Sequence, residues 1–435
     1  MSDKKLVVLA YSGGLDTSVI CHYLMHRLGY DVVGSIADVA QNEDLEAARE
    51  KALASGAKDF VVKDAKEEFV RDGGLQCLRA QAKYQGEYLL GTAIARPFTM
   101  KKVVEVAHEY GAGAVAHGAT GKGNDQVRFK LAATALDSSL EVIAPWSDSR
   151  PEFQEFRKLI PGRKEAIEYA KAHGIPVTAT LDESWSTDRN ILHISHESGI
   201  LEDPYQPPPD EIFEIVKPAW RAERSESVTI IRVNGKIIGV QSPNYQDSDE
   251  IIVDFERGYP IAVNLAQHEP VSLLKRLNAL GGVHGIGITD IVEDRITGMK
   301  CRCVYEAPGM TILYAAHLAL AKICLSGDEF EDMLKMSIDY GRMVYEGQWF
   351  SDRKRSMDAQ VEKWNEKITG KVGLRIGCGG LWVIGRSSPC SLYRGDIATM
   401  EAGGSYDQSD AYGFMKVVSL PTRIEAERNK KTTPH

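Results

Sequence analysis

A short glycine-rich segment near the start of the chain has the residue types of a phosphate site. Residues 7–18 read VVLAYSGGLDTS, an apolar run followed by two glycines, hydroxyl side chains and one carboxylate. Where a strand ends and a helix begins, backbone N–H groups and the positive end of the helix dipole favour a bound anion. The glycines allow close approach of a ligand, and Ser12, Thr17 and Ser18 can donate hydrogen bonds to phosphate oxygens. In such a turn, Asp16 would orient the loop or a metal ion.

Two other glycine-rich patterns fit phosphate motifs less well. Residues 118–124, GATGKGN, have a glycine after the lysine and the wrong glycine spacing for a Walker A loop. Residues 111–116, GAGAVA, match a dinucleotide motif by letter but precede a strand, whereas that motif follows one. For residues 12–18 the alternative is a turn without a ligand, in which Asp16 or Thr17 caps the helix.

Apolar runs that alternate with helical patterns surround the turn. The segments with helical spacing end at Gly29 and Gly56, and the apolar runs lie at 6–11, 31–37, 59–62, 113–118 and 140–146. This alternation predicts an α/β fold with a doubly wound parallel sheet. Ligands of such sheets bind beyond the carboxyl ends of the strands, which is where residues 12–18 would lie.

From about residue 175 the pattern changes to that of an α+β domain. A helix predicted over 163–174 leads out of the first region. The predicted elements that follow are a hairpin turning at Asn234-Gly235, strands at 250–255 and 259–264 joined through Gly258, helices at 311–325 and 329–345, and strands near 371–377 and 381–386. Beyond residue 400 the chain is polar. We predict a frayed terminus over 427–435, preceded by residues that could form an arm onto a neighbouring subunit.

Charge and cysteine content narrow the classes of partner. The 435 residues carry a net charge of −9, which argues against a nucleic-acid binder. No apolar run approaches the roughly 20 residues of a membrane helix, and the start MSDKK lacks the apolar core of a secretory signal. Seven scattered cysteines suit reduced thiols, so we predict a cytoplasmic protein without a membrane partner. Cys301 and Cys303 form a lone C-x-C, which we interpret as two residues on one side of a strand and not as a metal site.

Longer segments resemble a known family. The string S-G-G-x-D-[ST]-S resembles the pyrophosphate-binding loop of the ATP pyrophosphatases. Five further segments resemble the argininosuccinate synthase family and follow one another in the order found in that family: residues 88–97, 117–129, 185–204, 290–300 and 385–393. This resemblance implies a ligase that joins L-citrulline to L-aspartate through citrullyl-AMP and releases AMP and pyrophosphate, in arginine biosynthesis. It also implies ATP with Mg²⁺ as co-substrate, no prosthetic group and a homotetramer.

The resemblance also implies the site residues. Catalytic roles fall to Asp16, Asp125 and Arg128. The ATP-binding positions are Ala10, Tyr11, Ser12, Gly13, Gly14, Leu15, Asp16, Thr17, Ser18, Ala37 and Gly118; the aspartate-binding positions are Thr120, Asn124 and Asp125; the citrulline-binding positions are Tyr88, Thr92, Asn124, Arg128, Ser186, Ser195, Glu293 and Tyr305. Arg128 can hold a carboxylate bidentately, and Asp125 could take the ammonium of aspartate or its proton. The alternative for Asn124 and Asp125 is a cap on the helix that begins there.

The resemblance divides the chain into an ATP-binding domain (1–172), a synthetase domain (173–397) and a C-terminal oligomerisation arm and tail (398–435). Three features depart from the family pattern: Thr92-Ala93 replaces Thr-Ser, Cys301-Arg302-Cys303 replaces Ser-Arg-Gly, and the region 222–249 is longer. Two alternatives remain open: another adenylating ligase with the same loop, or an ATP-binding sensor without turnover. Polar residues beyond those that ATP needs, such as Glu293 and Tyr305, argue against the sensor.

Overall fold

The structure is a computed structural model. It describes residues 5–176, 185–221, 229–233, 236–241, 248–401 and 404–432. Within these ranges, the side chains of residues between 221 and 247 and of residues 431–432 are not described. It contains two compact units, Met1–Cys390 and Ser391–His435. Among the described residues, no helix is both long and apolar enough to cross a membrane.

A five-stranded parallel sheet begins the larger unit, in the order β3-β2-β1-β4-β5. Its strands are β1 Leu6–Ala10, β2 Asp31–Asp38, β3 Asp59–Asp64, β4 Ala114–Ala116 and β5 Glu141–Ile143. The helices of this region are α1 Leu15–His26, α2 Leu45–Ala54, α3 Lys66–Glu68, α4 Leu75–Arg79, α5 Gly91–Tyr110, α6 Asp125–Leu136, α7 Pro151–Leu159 and α8 Arg163–Ala172, with a π-helical turn at Phe69–Gly74. All five predicted strands and the doubly wound α/β fold are confirmed.

Both faces of this sheet are buried by helices. Val7 and Leu9 of β1 pack in the cluster that contains residues of α1, α7 and α8, whereas Val8 and Ala10 pack with residues of α5 and α6. Because successive side chains of a strand point to opposite faces, an unbroken apolar run is what such a strand requires. With β2 on one side of β1 and β4 on the other, the strand order reverses at β1, and a crevice opens at its carboxyl end.

Antiparallel sheets form the rest of the larger unit. One has the order β13-β14-β7-β6 and a second the order β12-β11-β10-β15-β16. Their strands, with the separate pair β8 and β9, are β6 Ser186–Asn190, β7 His193–Glu197, β8 Thr229–Val233, β9 Lys236–Gln241, β10 Ser248–Glu256, β11 Tyr259–Val263, β12 Ala266–Gln267, β13 Ile288–Asp294, β14 Lys300–Glu306, β15 Gly370–Gly377 and β16 Gly380–Ser387. The helices are α9 Pro270–Val283, α10 Pro308–Cys324, α11 Gly327–Tyr345 and α12 Asp352–Asn365, with short 3₁₀ turns at Gly199–Glu202, Asp210–Ile212 and Ala219–Arg221.

Most predicted elements of this region are confirmed. The pair β10 and β11 turns through Gly258, whose φ of +78° is one that glycine adopts without strain. Strands β8 and β9 pair antiparallel as the hairpin prediction requires, but the turn residues Asn234 and Gly235 lie outside the described residues. Cys301 and Cys303 lie on one strand, β14, two positions apart, as expected.

The smaller unit contains α13 Gly395–Ala398, α14 Asp410–Val418 and α15 Leu420–Thr432. The prediction of a frayed terminus is wrong for residues 427–432, because α15 continues to Thr432, and residues 433–435 lie outside the described residues. Several large apolar side chains of this unit are exposed, among them Tyr412, Phe414 and Val417.

Candidate active site

The glycine-rich turn follows β1 at the crevice of the parallel sheet. Tyr11 donates its backbone N–H to the Ser35 carbonyl of β2 at 2.9 Å, and its phenol lies 2.7 Å from Ser18 Oγ. Gly13 has a φ of +71°, which explains why a glycine stands there. Helix α1 then begins with Gly14 at the N-cap position and no side-chain cap. The alternative in which Asp16 or Thr17 caps this helix is therefore wrong, and both residues lie in its first turn.

A cleft of about 1190 Å³ opens at this turn. Eight of the eleven predicted ATP-binding residues line it: Ala10, Tyr11, Ser12, Gly14, Asp16, Thr17, Ala37 and Gly118. Gly13 does not line the cleft, Leu15 packs into the core beside the sheet, and Ser18 is buried, with its hydroxyl bonded to the Gly14 carbonyl at 2.8 Å. We call this space the nucleotide cleft. Leu15 and Ser18 shape the turn and do not face the cleft.

The electrostatics of the nucleotide cleft suit a charged ligand. The side chain of Asp16 reaches solvent inside the cleft, yet desolvation by the surrounding protein raises its pKa, against the opposing effect of Arg163. A nearby cation would stabilise the ionised form of a carboxyl group in such surroundings. His117 also lines the cleft, and burial lowers its pKa to about 4, so it is neutral near pH 7. His117, which follows β4 directly, was not selected from the sequence, although it begins the segment 117–129 that carries the family resemblance.

A second cleft, of about 690 Å³, adjoins the first. Its lining contains nearly all the residues predicted to bind the two amino acids: Tyr88, Thr92, Thr120, Asn124, Asp125, Arg128, Ser195, Glu293 and Tyr305. Ser186 is the exception, since it is exposed at the start of β6 and does not line this cleft. We call this space the amino-acid cleft. The nine predicted residues of its lining come from α5, α6, β7, β13 and β14 and from the loops that precede α5 and α6.

One cation and one anion of the amino-acid cleft are buried. Arg128, 3% exposed, donates from Nε to the Tyr345 carbonyl at 2.9 Å and from Nη1 to Asp125 at 2.8 Å, while its buried Nη2 has no partner among the described residues. Glu293, 4% exposed, accepts from the phenols of Tyr345 at 2.6 Å and Tyr305 at 2.9 Å. Burial raises the pKa of Glu293. The cleft thus offers a guanidinium for a carboxylate and a carboxylate for an ammonium.

Stacked aromatic rings form a rigid wall of this cleft. The rings of Tyr88 and Tyr305 lie 4.3 Å apart and nearly parallel, and the phenol of Tyr88 accepts the backbone N–H of Thr92 at 3.0 Å. Asn124 donates to the Tyr345 phenol at 2.7 Å and accepts the Ile296 N–H at 2.8 Å. The side chain of Asn124 therefore does not cap α6, so the capping alternative for this residue is wrong. It ties the start of α6 to the segment after β13.

An ion-pair network lies at the boundary between the two clefts and forms part of the wall of each. Arg96 of α5 donates from Nε to Asp125 at 2.7 Å and from Nη2 to Asp188 of β6 at 2.8 Å. Arg96, Asp125 and Asp188 line both clefts. Although burial alone would raise it, Arg96 and Arg128 hold the pKa of Asp125 below its ordinary value. Asp125 is therefore an anion with both carboxylate oxygens already engaged, which favours a positioning role over proton transfer.

Arg96 and Asp188 were not selected from the sequence. Both lie within segments that carry the family resemblance, 88–97 and 185–204, which is the signal that could have found them. Nothing in the chain order indicates that α5, α6 and β6 would meet at one network. Ala93, one of the departures from the family pattern, is fully buried and lines neither cleft.

Comparison with known proteins agrees with this geometry. The family model described as the arginosuccinate synthase N-terminal HUP domain matches residues 6–176, and that of the arginosuccinate synthase C-terminal domain matches 185–243 and 236–425. The chain is 44% identical to an argininosuccinate synthase of Carboxydothermus hydrogenoformans over 424 residues, 98% of each chain. The chain belongs to the argininosuccinate synthase family.

Two further members show how widely this similarity extends. The argininosuccinate synthase of Moorella thermoacetica is 44% identical over 98% of this chain and 97% of its own. The chloroplastic argininosuccinate synthase of Arabidopsis thaliana is 45% identical over 98% of this chain and 80% of its own. Membership of the argininosuccinate synthase family makes the chain an ATP-using ligase that forms a carbon–nitrogen bond.

Proposed function

We propose that this protein joins L-citrulline to L-aspartate, with ATP as co-substrate, and yields argininosuccinate, AMP and pyrophosphate. The observation that supports this most strongly is the pair of adjoining clefts, which share Arg96, Asp125 and Asp188 in their walls. A reaction that transfers a nucleotide onto an amino acid needs its two substrates side by side. The alternative of an ATP sensor explains the first cleft and leaves the second without a use.

In this proposal the triphosphate binds at the turn of residues 11–18. Backbone N–H groups at the start of α1 and the hydroxyls of Ser12 and Thr17 would meet the phosphate oxygens. Mg²⁺ is held in many sites by one or two carboxylates together with substrate phosphates, and Asp16 fits this role as the one carboxylate of the turn. The ion would neutralise charge on the phosphates as pyrophosphate leaves.

Citrulline, a zwitterion with a neutral ureido group, would bind in the amino-acid cleft. The buried, unpartnered Nη2 of Arg128 suits its carboxylate, since a buried donor without a partner costs about 1–3 kcal/mol. Glu293 suits its ammonium group. Tyr88, Thr92, Ser195 and Tyr305 supply hydroxyls around the same space, and Asn124 anchors its wall. Ser186 has no place in this arrangement and is not proposed as a direct contact.

Aspartate would bind at Thr120, Asn124 and Asp125, where the start of α6 meets the boundary between the clefts. The N-terminus of α6 favours a carboxylate ligand. Asp125, with its low pKa, would stay ionised and hold Arg96 and Arg128 in place. The amine of aspartate would then attack close to the network that both clefts share.

The reaction would proceed in two displacements. The ureido oxygen of citrulline attacks the α-phosphorus and pyrophosphate leaves, giving citrullyl-AMP; the amine of aspartate then displaces AMP from the activated carbon. Neither step needs a protein nucleophile. The protein contributes position and fixed charge, which are worth several kcal/mol each in general. Arg96 lies at the boundary where negative charge accumulates.

We also propose a cytoplasmic homotetramer with an ATP-binding domain over 1–172, a synthetase domain over 173–397 and a C-terminal arm over 398–435. The exposed apolar side chains of α14 and α15 support a contact with another copy. Seven free cysteines support a reducing compartment. Size-exclusion chromatography with light scattering should give a tetramer mass, and removal of residues 391–435 should give a smaller species.

The activity is tested by incubating the purified chain with MgATP, citrulline and aspartate and identifying the products by mass spectrometry. We expect argininosuccinate and AMP in equal amounts. Omission of citrulline should abolish AMP formation. Formation of AMP with another acceptor, and none with citrulline, would show a different adenylating ligase.

A further inference from the structure

Two cysteines and a glutamate meet at the wall of the amino-acid cleft. Cys301 and Cys303 are two positions apart on β14 and point to the same face of the sheet. Glu197 of β7 lies directly opposite Cys303 in the strand register. One sulfur or carboxylate oxygen from each residue lies within 4.8 Å of the others. The C-x-C pattern alone did not predict a metal site, because the third donor comes from another strand.

The distances among these donors match those around a tetrahedral ion. Bonds of about 2.3 Å to sulfur and about 2.0 Å to oxygen place two sulfurs about 3.8 Å apart and a sulfur and an oxygen about 3.5 Å apart. The two Sγ atoms are 3.8 Å apart, and Glu197 Oε2 lies 3.6 Å from Cys301 Sγ and 3.8 Å from Cys303 Sγ. A disulfide would require about 2.05 Å between the sulfurs. The spacing therefore favours a shared ion over a bond.

We propose that Cys301, Cys303 and Glu197 bind one thiophilic divalent cation, with Zn²⁺ as its best example. Two sulfurs and one carboxylate suit zinc better than magnesium or calcium, which prefer oxygen ligands alone. Three protein ligands leave a fourth position open. Glu197 and Cys303 line the amino-acid cleft, so the ion can enter from it and a water or a ligand can occupy the fourth position.

Arg295 is the competitor of this ion. Its Nη2 lies 2.9 Å from both Glu197 Oε2 and Cys301 Sγ, two of the three donor atoms. A guanidinium at that position favours the thiolate form of Cys301. Binding of the ion requires Arg295 to turn away and each thiol that is still protonated to lose its proton to solvent. Either the guanidinium of Arg295 or the bound ion compensates the negative charge of the Glu197 carboxylate and the cysteine thiolates.

Occupation of this site closes part of the amino-acid cleft. Glu197, Arg295 and Cys303 share its wall with Ser195, Glu293 and Tyr305. The kinetic effect rests on the proposed function: the bound ion raises the KM for citrulline and leaves the KM for ATP unchanged. Binding of the ion itself does not depend on that function.

The site is tested first without substrate. Co²⁺ added to the reduced, metal-free chain should give one thiolate-to-cobalt charge-transfer absorption per chain, and Zn²⁺ should displace it. Cys301→Ser, Cys303→Ser and Glu197→Gln should each weaken Zn²⁺ binding by more than about 10-fold, the lower end of what the loss of an outer partner costs. Arg295→Gln should tighten it. Cys378→Ser, at an exposed cysteine, is the matched control and should bind like the unaltered chain.

A second measurement uses the unaltered chain and does not depend on the folding of variants. Zn²⁺ should protect Cys301 and Cys303, and not Cys378, from alkylation as read by peptide mass. Absence of stoichiometric binding, Zn²⁺ binding in both cysteine variants as tight as in the unaltered chain, or conversion of the pair to a disulfide under the same reducing conditions would overturn the proposal. A chain that binds zinc but forms no argininosuccinate even in the absence of zinc would contradict only the proposed function, and a chain that forms argininosuccinate but does not bind zinc would contradict only this inference.

Discussion

The two clefts are built in different ways. The nucleotide cleft takes most of its predicted contacts from one turn, residues 10–18, whose residues are neighbours in the chain. The amino-acid cleft gathers Tyr88, Asp125, Ser195 and Glu293 from elements far apart in sequence. A contiguous turn keeps its local geometry if other parts shift, whereas an assembled cleft depends on every contact that joins its elements. Substitutions should therefore have local effects in the first cleft and distributed effects in the second.

The largest effect is expected from Asp125→Ala, because Asp125 belongs to both clefts. Its loss leaves Arg96 and Arg128 without the anion that positions both guanidinium groups at the boundary of the clefts. We expect ligation to fall about 1000-fold, at the upper end for loss of one preorganised charged group, with pyrophosphate release and aspartate capture both impaired. Rapid-quench assays of each half-reaction test this.

The matched control for that experiment is Asp137→Ala, at the other end of the same helix, which should have little effect on turnover. A loss confined to aspartate capture would show that Asp125 contacts aspartate without organising the network. That result would restrict the role of Asp125 to aspartate binding, although the residue lines both clefts.

A smaller and more selective effect is expected from Asp16→Ala. Pyrophosphate release should fall about 100-fold, as for loss of one preorganised charge partner, while citrulline binding measured by calorimetry should be unchanged. Glu50→Ala, at an exposed carboxylate of α2, should behave like the unaltered chain. If Asp16→Ala lost citrulline affinity as strongly as it lost pyrophosphate release, substitutions in the nucleotide cleft would not have the local effects expected here.

The pH dependence of citrulline binding should report on Glu293. Its pKa is raised by burial, so on acidification it becomes protonated at a higher pH than an exposed glutamate does. Because only the ionised form pairs with an ammonium group, the KM for citrulline should rise as pH falls from 8 toward 5. Glu293→Gln should raise that KM about 10-fold at pH 8 and flatten its pH dependence. An unchanged profile in the variant would assign the titration to another group.

The smallest effects distinguish two neighbours on α5. Thr92 Oγ1 lies 2.9 Å from both Asp188 and His193, so Thr92→Ala should raise the KM for citrulline a few-fold, about 1 kcal/mol. Ala93→Ser restores the hydroxyl of the family pattern at a fully buried position and should change that KM less. Steady-state kinetics compare the two, and a larger effect of Ala93→Ser would place residue 93 at the cleft after all.

The two clefts also differ in how much of their structure can be predicted from the sequence. The turn of residues 11–18 and the five strands of the parallel sheet follow from local patterns, in which an apolar run, glycines and a helix start are enough. Arg96 and Asp188 could not be found in this way, because their role depends on α5 and β6 meeting at Asp125. The approach of Glu197 to Cys301 and Cys303 could not be predicted for the same reason, since only the register of β7 on β14 places Glu197 there.

The capping predictions failed for a related reason. Asn124 and Asp125 have the residue types of helix caps, but long-range partners engage their side chains instead. A local preference worth about 1 kcal/mol is outweighed by two or three hydrogen bonds to charged or buried groups.

In the proposed reaction, the adjoining clefts bring the ureido oxygen of citrulline to the α-phosphorus of ATP. Citrulline labelled with heavy oxygen in the ureido group tests this in a single turnover with MgATP and aspartate. We expect the label to leave with AMP, because the carbon–oxygen bond breaks when the amine of aspartate attacks. AMP without the label, formed together with argininosuccinate, would rule out attack by the ureido oxygen.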